Sequence, residues 1–123
     1  MPRILIVDDN PMVRHSVRRC IEANTDWRVC DEAENGKVAV EKVIQLGPEI
    51  VILDFQMPVM NGLEAARQIT RIAPHTAMVM FTMHQSEQLA EAAKAAGIKE
   101  VIPKDGNITE HLLAILHGIA VGT

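Results

Sequence analysis

The sequence predicts an α/β fold in which a parallel sheet is covered by helices on both faces. Short aliphatic runs alternate with segments of helical spacing along the whole chain. The runs at residues 4–7 and 50–53 are unbroken, as in strands that are buried on both faces. Both runs end at carboxylates. With right-handed crossovers, this alternation favours a doubly wound sheet.

Five strand-and-helix units follow one another without internal repeats. The predicted strands lie at residues 4–7, 28–32, 50–53, 77–81 and 101–103. The helices that follow them carry apolar residues at helical spacing: Val13, Val17, Cys20 and Ile21; Ala39, Val40, Val43, Ile44 and Leu46; Leu63, Ala66, Ile69 and either Ile72 or Ala73; Leu89, Ala92, Ala93 and Ala96; Leu112, Ile115, Leu116 and Ile119. The fourth helix, built mostly of alanine, should contribute little buried area.

Caps and turn residues mark the ends of these helices. The start signals are Asn10 with Pro11, Asn35 with Gly36, Ser86, and Asn107 with Glu110; the stop signals are Gly47 with Pro48, Pro74 and Gly97. Met57 and Pro58 predict an extended segment after the third strand. Asn61 and Gly62 provide positions that tolerate positive φ just before the third helix.

The strand order 2-1-3-4-5 fits the composition of the strands best. The first and third runs are the most aliphatic and suit the interior of the sheet, whereas the polar second strand suits an edge. Pro103 cannot donate to a ladder, so the fifth strand is also expected at an edge. In this order the ends of strands one and three border the crevice, where Asp8, Asp9 and Asp54 meet.

Asp54 has two interpretations when its strand is considered alone. An aspartate at a strand end often starts a loop or caps the next helix. It can also be a ligand-binding group delivered to the rim by a rigid strand. Complementary side chains at the ends of the other strands decide between them.

Those side chains suggest phosphoryl chemistry. Carboxylates that share one crevice repel each other unless a cation is present, and Mg²⁺ with oxygen ligands is the expected one. Thr82 and Lys104 follow strands four and five and bring a hydroxyl and an ammonium to the same rim. These groups can position and neutralise a phosphoryl group, which Asp54 can accept as a nucleophile.

The motif set Asp8-Asp9, Asp54-x-x-Met57-Pro58-x-Met60-x-Gly62, Thr82 and Lys104 resembles the receiver domain of bacterial two-component response regulators. The resemblance covers essentially the whole chain and implies the flavodoxin-like form of the doubly wound sheet. It implies that Asp54 is the phosphoacceptor and that Asp9, Asp54 and the backbone carbonyl of Gln56 ligate Mg²⁺. Asp8 would act largely through a metal-bound water. Thr82 and Lys104 would contact phosphoryl oxygens, and the donor would be a phosphohistidine on a sensor kinase.

Two positions depart from the family pattern. Val101 stands where members usually carry Tyr or Phe, which puts the usual coupling from Thr82 in question. Asp105 follows Lys104 where many members have proline. A Lys-Asp pair and the pattern of residues 112–122 are similar to the subfamily with a LuxR-type helix-turn-helix. The resemblance therefore implies the regulatory part of a transcription factor, with the DNA-binding output domain absent from this chain. Dimerisation on phosphorylation stays open.

Composition limits the other function classes. The 123 residues suit one domain, here residues 1–123, and a net charge of −4 with one Trp, two Phe and no Tyr argues against direct nucleic-acid binding. No residues form a signal peptide or a membrane span, so a cytoplasmic location is expected. Cys20 and Cys30 form no redox or metal motif. His15, His75, His84, His111 and His117 show no metal-ligand spacing.

Two alternatives remain beside the phosphorylated switch. Val101 and Pro103 would suit a receiver-like scaffold that is never phosphorylated. A flavin protein of the same topology is a poorer fit, because Asp8 and Asp9 would repel a phosphate in the first loop. Gln56 and His84 resemble the family's variable positions beside the phosphoryl group and are expected to influence its lifetime.

Overall fold

The computed structural model describes residues 2–83, 85–104 and 108–122, and within them it contains five strands and five helices that alternate along the chain. The strands are β1 (Arg3–Val7), β2 (Arg28–Ala33), β3 (Ile50–Asp54), β4 (Ala77–Thr82) and β5 (Glu100–Pro103). The helices are α1 (Pro11–Asn24), α2 (Gly36–Leu46), α3 (Gly62–Ile72), α4 (Glu87–Ala95) and α5 (Ile108–Gly122).

All strands pair in parallel, in the order β2-β1-β3-β4-β5. This confirms the predicted order and the doubly wound α/β class. The three central strands are almost wholly buried, and β2 and β5 form the edges. Pro103, whose nitrogen carries no hydrogen, ends the edge strand β5 beside Thr82.

Two hydrophobic layers lie on opposite faces of the sheet. One layer packs α2, α3 and α4 against alternate strand residues such as Leu5, Leu53 and Met80. The other packs α1 and α5 against Ile6 and its neighbours on the opposite face. Period-2 alternation within each strand separates the layers, and the aliphatic residues on both faces explain the unbroken runs of the sequence.

The helix caps follow the sequence signals closely. Asn10 accepts hydrogen bonds from the backbone of the first turn of α1, and Asn35 and Ser86 do the same for α2 and α4. Gly47 ends α2 in the left-handed region at φ 57°. The expected cap at Asn107 lies outside the described residues.

Within the described part of the chain, no helix combines the length and the apolar character that crossing a membrane requires.

Candidate functional site

The register of β1 and β3 places two carboxylates side by side at the carboxyl edge of the sheet. Val7 pairs with Leu53 in the last pair of this ladder, and Asp8 and Asp54 follow directly. Asp8 is fully buried and Asp54 is only 7% exposed. Buried carboxylates need partners, and at this position each contacts charged or polar groups.

Asp9 completes an acidic cluster with these two residues. One carboxylate oxygen from each of Asp8, Asp9 and Asp54 lies within 4.8 Å of the other two, and Asp9 is exposed to solvent. Such a set of oxygen donors, open on one side, fits a hard divalent cation that keeps part of its water shell.

Lys104 brings a cation to the two buried carboxylates. Its Nζ lies 2.7 Å from Asp8 Oδ2 and 3.3 Å from Asp54 Oδ2, and 4.9 Å from the centre of the Phe81 ring. Its backbone N–H donates to the Thr82 carbonyl at 3.0 Å, so the chain just beyond β5 fixes the base of this side chain. The Lys104 side chain is 15% exposed.

Thr82 and Gln56 lie at the same edge in different surroundings. Thr82 is the last residue of β4 and is 2% exposed. Gln56 lies two residues beyond Asp54 in the loop that follows β3, and it is exposed. The structure thus brings Asp8, Asp9, Asp54 and Lys104 together, with Thr82 at the end of the adjacent strand. His84 and Asp105 lie outside the described residues.

The surroundings of Asp54 disfavour its ionised form. Burial, and then the charge of Asp8, raise the pKa of the Asp54 carboxyl above its ordinary value. Lys104 and the Phe55 backbone N–H, which donates to Asp54 Oδ1 at 2.8 Å, act in the opposite direction. An added cation would therefore relieve a repulsion that is already present.

The loop between β3 and α3 does not use the tolerance of Asn61 and Gly62 for positive φ. Asn61 has φ −77° and caps α3, and Gly62 is the first helical residue. The left-handed residue is Val59, at φ 71°, where the Met60 N–H donates to the Pro58 carbonyl at 2.7 Å across a γ-turn. The Asn-Gly pair begins the helix instead of reversing the chain.

Gly62 is required for a different reason, which the sequence did not reveal. A Cβ at this position would lie 2.1 Å from the Asp54 carbonyl oxygen. Its N–H donates to the Phe55 carbonyl at 2.8 Å. Gly62 therefore lets the start of α3 lie against the backbone of Asp54. This close tertiary contact is not signalled by any local sequence pattern.

Comparison with known proteins identifies the family. The model of the response regulator receiver domain matches residues 4–116. The chain belongs to this receiver family. It is 38% identical over 105 residues to the transcriptional regulatory protein YdfI of Bacillus subtilis, covering 85% of this chain and 49% of that protein. It is 35% identical over 108 residues to a protein-glutamate methylesterase/protein-glutamine glutaminase of Nocardioides, covering 86% of this chain and 30% of that protein.

The fold of this receiver domain agrees with solved structures. A two-component response regulator of the LuxR family from Aurantimonas superimposes with a TM-score of 0.90 at 33% identity, covering 98% of this chain and 86% of the other.

The chain spans about half of YdfI and less than a third of the methylesterase. It is a receiver domain of two-component signalling, and its relatives include both transcriptional regulators and enzymes.

Proposed function

We propose that the chain is a phosphorylation-dependent switch in which Asp54 accepts a phosphoryl group from a phosphohistidine. The observation that carries this proposal is the convergence of Asp54 with Asp8, Asp9 and Lys104 at one edge of the sheet. A carboxylate delivered by a rigid strand is a suitable nucleophile, and the neighbouring groups can bind the charges of a phosphoryl group. The module accepts and loses this group without turning over a separate substrate.

Mg²⁺ fits the acidic cluster as a cofactor. Asp9, Asp54 and the backbone carbonyl of Gln56 would ligate it, and Asp8 would act largely through a metal-bound water. When bound, Mg²⁺ supplies positive charge that neutralises phosphoryl oxygens and the repulsion among the carboxylates. The short distances among the three carboxylates support this assignment.

The transfer step is a displacement at phosphorus. An Asp54 carboxylate oxygen attacks, a P–O bond forms, and the P–N bond to the donor imidazole breaks with its electron pair moving to that nitrogen. Lys104, now within 3.3 Å of Asp54, is placed to pair with a phosphoryl oxygen, and Thr82 would hydrogen-bond another. The product, an aspartyl phosphate, carries about 1.5 to 2 negative charges where the ionised carboxylate carried one.

The added charge would shift an equilibrium between two conformations of the domain. We propose that the domain responds to a sensor histidine kinase and controls a LuxR-type DNA-binding output domain linked to it. YdfI is a transcriptional regulatory protein, and the Aurantimonas structure is of the LuxR family. Both support transcription as the output.

The proposal is tested by intact-mass measurement after incubation with acetyl phosphate, with and without Mg²⁺. We expect one phosphoryl group per chain in the presence of Mg²⁺ and none after chelation. Asp54→Ala should abolish labelling. Asp26→Ala, which removes an exposed aspartate of the loop before β2, is the matched control and should be labelled like the wild type.

Labelling of the Asp54→Ala variant would contradict the assignment of the phosphoacceptor. Failure to label the wild type, with its fold verified by circular dichroism, would favour the scaffold interpretation. Attention would then turn to Val101, whose half-buried side chain stands at the aromatic position of the family.

A further inference from the structure

Arg14 connects the loop that carries Asp8 and Asp9 to the edge strand β2. It lies in the first turn of α1, and its Nη1 donates to the backbone carbonyl of Asp8. Its Nε donates to Glu32 Oε1 at 2.9 Å. The Arg14 side chain is 17% exposed, and both contacts are partly buried. A planar guanidinium can hold two acceptors in one fixed geometry, which a lysine ammonium cannot match.

The acceptor at Asp8 lies at a sensitive point of the chain. The Asp8 carbonyl belongs to the peptide group that joins Asp8 to Asp9. The orientation of this peptide group therefore constrains the position of the Asp9 side chain. The Asp8 side chain is held separately: Oδ1 accepts from the Asn10 N–H at 2.9 Å, and Oδ2 accepts from Lys104. Asp9 is exposed, and the contact from Arg14 to the preceding peptide restrains its position indirectly.

Glu32 compensates the charge of Arg14. Both of its carboxylate oxygens face arginines of α1, Arg14 at 2.9 Å and Arg18 at 3.1 Å. Arg18 Nε makes this ion pair without hydrogen-bond geometry, and it makes no contact with Asp8 in the described structure. Lys42 adds a contact from α2 to the Glu32 backbone carbonyl. Because Glu32 compensates its charge, Arg14 can donate to the Asp8 carbonyl with little electrostatic repulsion of a cation bound at the carboxylates.

We infer that Arg14 is a positioning residue for the cation site: its contact with the Asp8 carbonyl holds the Asp8-Asp9 peptide in the orientation that binds Mg²⁺. This inference rests on the proposed function, since it assumes that the acidic cluster binds Mg²⁺. Residues that orient metal ligands from outside the coordination sphere commonly affect metal affinity by at least about tenfold. Arg14 of α1, supported by Glu32 of β2, thereby becomes part of the cation site.

The charge of Arg14 gives the inference a distinctive sign. By electrostatics alone, removal of a cation near three carboxylates should strengthen Mg²⁺ binding. If Arg14 acts through the peptide orientation, its removal should weaken Mg²⁺ binding instead. Arg18→Gln is a matched control, because it removes the same charge from the same partner, Glu32, and leaves the Asp8 carbonyl contact intact.

The test is an NMR titration of the 123-residue chain with MgCl₂ at constant ionic strength, following the backbone amides of Asp9 and Asn10. We expect Arg14→Gln to raise the Kd for Mg²⁺ about tenfold. Arg18→Gln should leave it within about twofold of the wild type. Dispersed amide spectra before titration verify that each variant is folded. If Arg14→Gln does not fold, Arg14→Lys replaces it, and the same direction of change is expected.

Three results would overturn the inference. Equal Kd values for wild type and the Arg14 variant would show that the contact does not position the site. An equal weakening by Arg18→Gln would assign the effect to the loss of an ion pair with Glu32, which both arginines make, and not to the Asp8 carbonyl contact. Absence of Mg²⁺ binding by the wild type would reject the proposed cation site itself, and the inference with it, so the two failures are distinguishable.

Discussion

The ammonium of Lys104 lies near two buried carboxylates at the ends of neighbouring strands, 2.7 Å from Asp8 and 3.3 Å from Asp54. The contacts of this ammonium with the two carboxylates would change if a phosphoryl group and a metal ion bound at the site. The pKa of Asp54 is nevertheless raised, because burial and the charge of Asp8 outweigh the contribution of Lys104. The ionised form of Asp54 is therefore disfavoured in the folded chain before any ligand binds.

The unfavourable ionisation of Asp54 predicts that Asp54→Asn stabilises the folded chain at neutral pH in the absence of metal. A raised pKa in the folded state means that ionised Asp54 lowers stability. We expect the variant to gain about 0.5–2 kcal/mol in the free energy of unfolding, measured with urea. The gain should be complete above the folded-state pKa, shrink as the pH falls through it, and vanish below the ordinary carboxyl pKa.

Asp26→Asn serves as the control for this comparison. Asp26 is exposed, and its replacement should change the free energy of unfolding by less than about 0.5 kcal/mol at any of these pH values. A destabilised Asp54→Asn variant at neutral pH would show that the Asp54 carboxylate is favourably solvated or paired in the fold.

Val59 stores backbone strain in the loop that follows Asp54. It is a β-branched residue at φ 71°, and its side chain is 76% exposed, so burial does not compensate the strain. Val59→Gly should raise the free energy of unfolding by about 1 kcal/mol, after the greater unfolded-state entropy of glycine is taken into account. Val59→Ala keeps a Cβ at positive φ and should gain less. Urea denaturation of the three proteins would reject this explanation if the glycine variant were the least stable.

At the scale of elements, the β3–α3 connection is shaped by close backbone approach. Gly62 lies against the Asp54 carbonyl, and Gly36 at the start of α2 lies against Met60, where a Cβ would be 2.5 Å from the Met60 carbonyl oxygen. The Gly36 N–H donates to that same oxygen at 3.0 Å. Two helix starts thus hold the loop on either side, and the loop in turn holds the end of β3.

Replacement of Gly62 by alanine should be strongly destabilising. Its Cβ would lie 2.1 Å from the Asp54 carbonyl oxygen, and backbone atoms must move to relieve this overlap. We expect a loss of at least about 2 kcal/mol in the free energy of unfolding. Gly118→Ala in α5, whose Cβ would meet nothing within 4 Å, should instead gain about 0.5–1 kcal/mol from helix propensity. Thermal unfolding of both variants checks the contrast, and similar midpoints would contradict it.

The elements were predictable from sequence because their signals are local. Aliphatic runs, asparagine caps and Gly47 act within a few residues, and the structure follows them. The conformation of Asn61 and Gly62 was not predictable, because turns and helix N-termini use the same residues, and the approach of Gly62 to Asp54 is not a local signal. The contact between Lys104 and Asp8 joins residues 96 positions apart, and the contacts of Arg14 depend on the packing of α1 against β2. No local pattern contains that information.

At the scale of the whole molecule, the chain is an acidic domain with a net charge of −4, and it carries a cluster of three carboxylates at one edge of the sheet. A ligand that binds only the folded state stabilises it in proportion to the logarithm of its concentration over Kd. Saturating Mg²⁺ should therefore raise the thermal unfolding midpoint above that in NaCl of equal ionic strength. Asp9→Asn should reduce this Mg²⁺-specific increase, and a full increase in that variant would argue against Asp9 as a ligand.

The most direct test of the central claim is to locate the phosphoryl group on the chain. Treatment of the phosphorylated protein with borohydride reduces an aspartyl phosphate to homoserine, which survives proteolysis and is mapped by mass spectrometry. We predict homoserine at position 54, formed only when acetyl phosphate and Mg²⁺ were both present. Homoserine at Asp8 or Asp9 with none at position 54, or its absence from a folded and fully treated chain, would contradict the assignment of Asp54 as the phosphoacceptor.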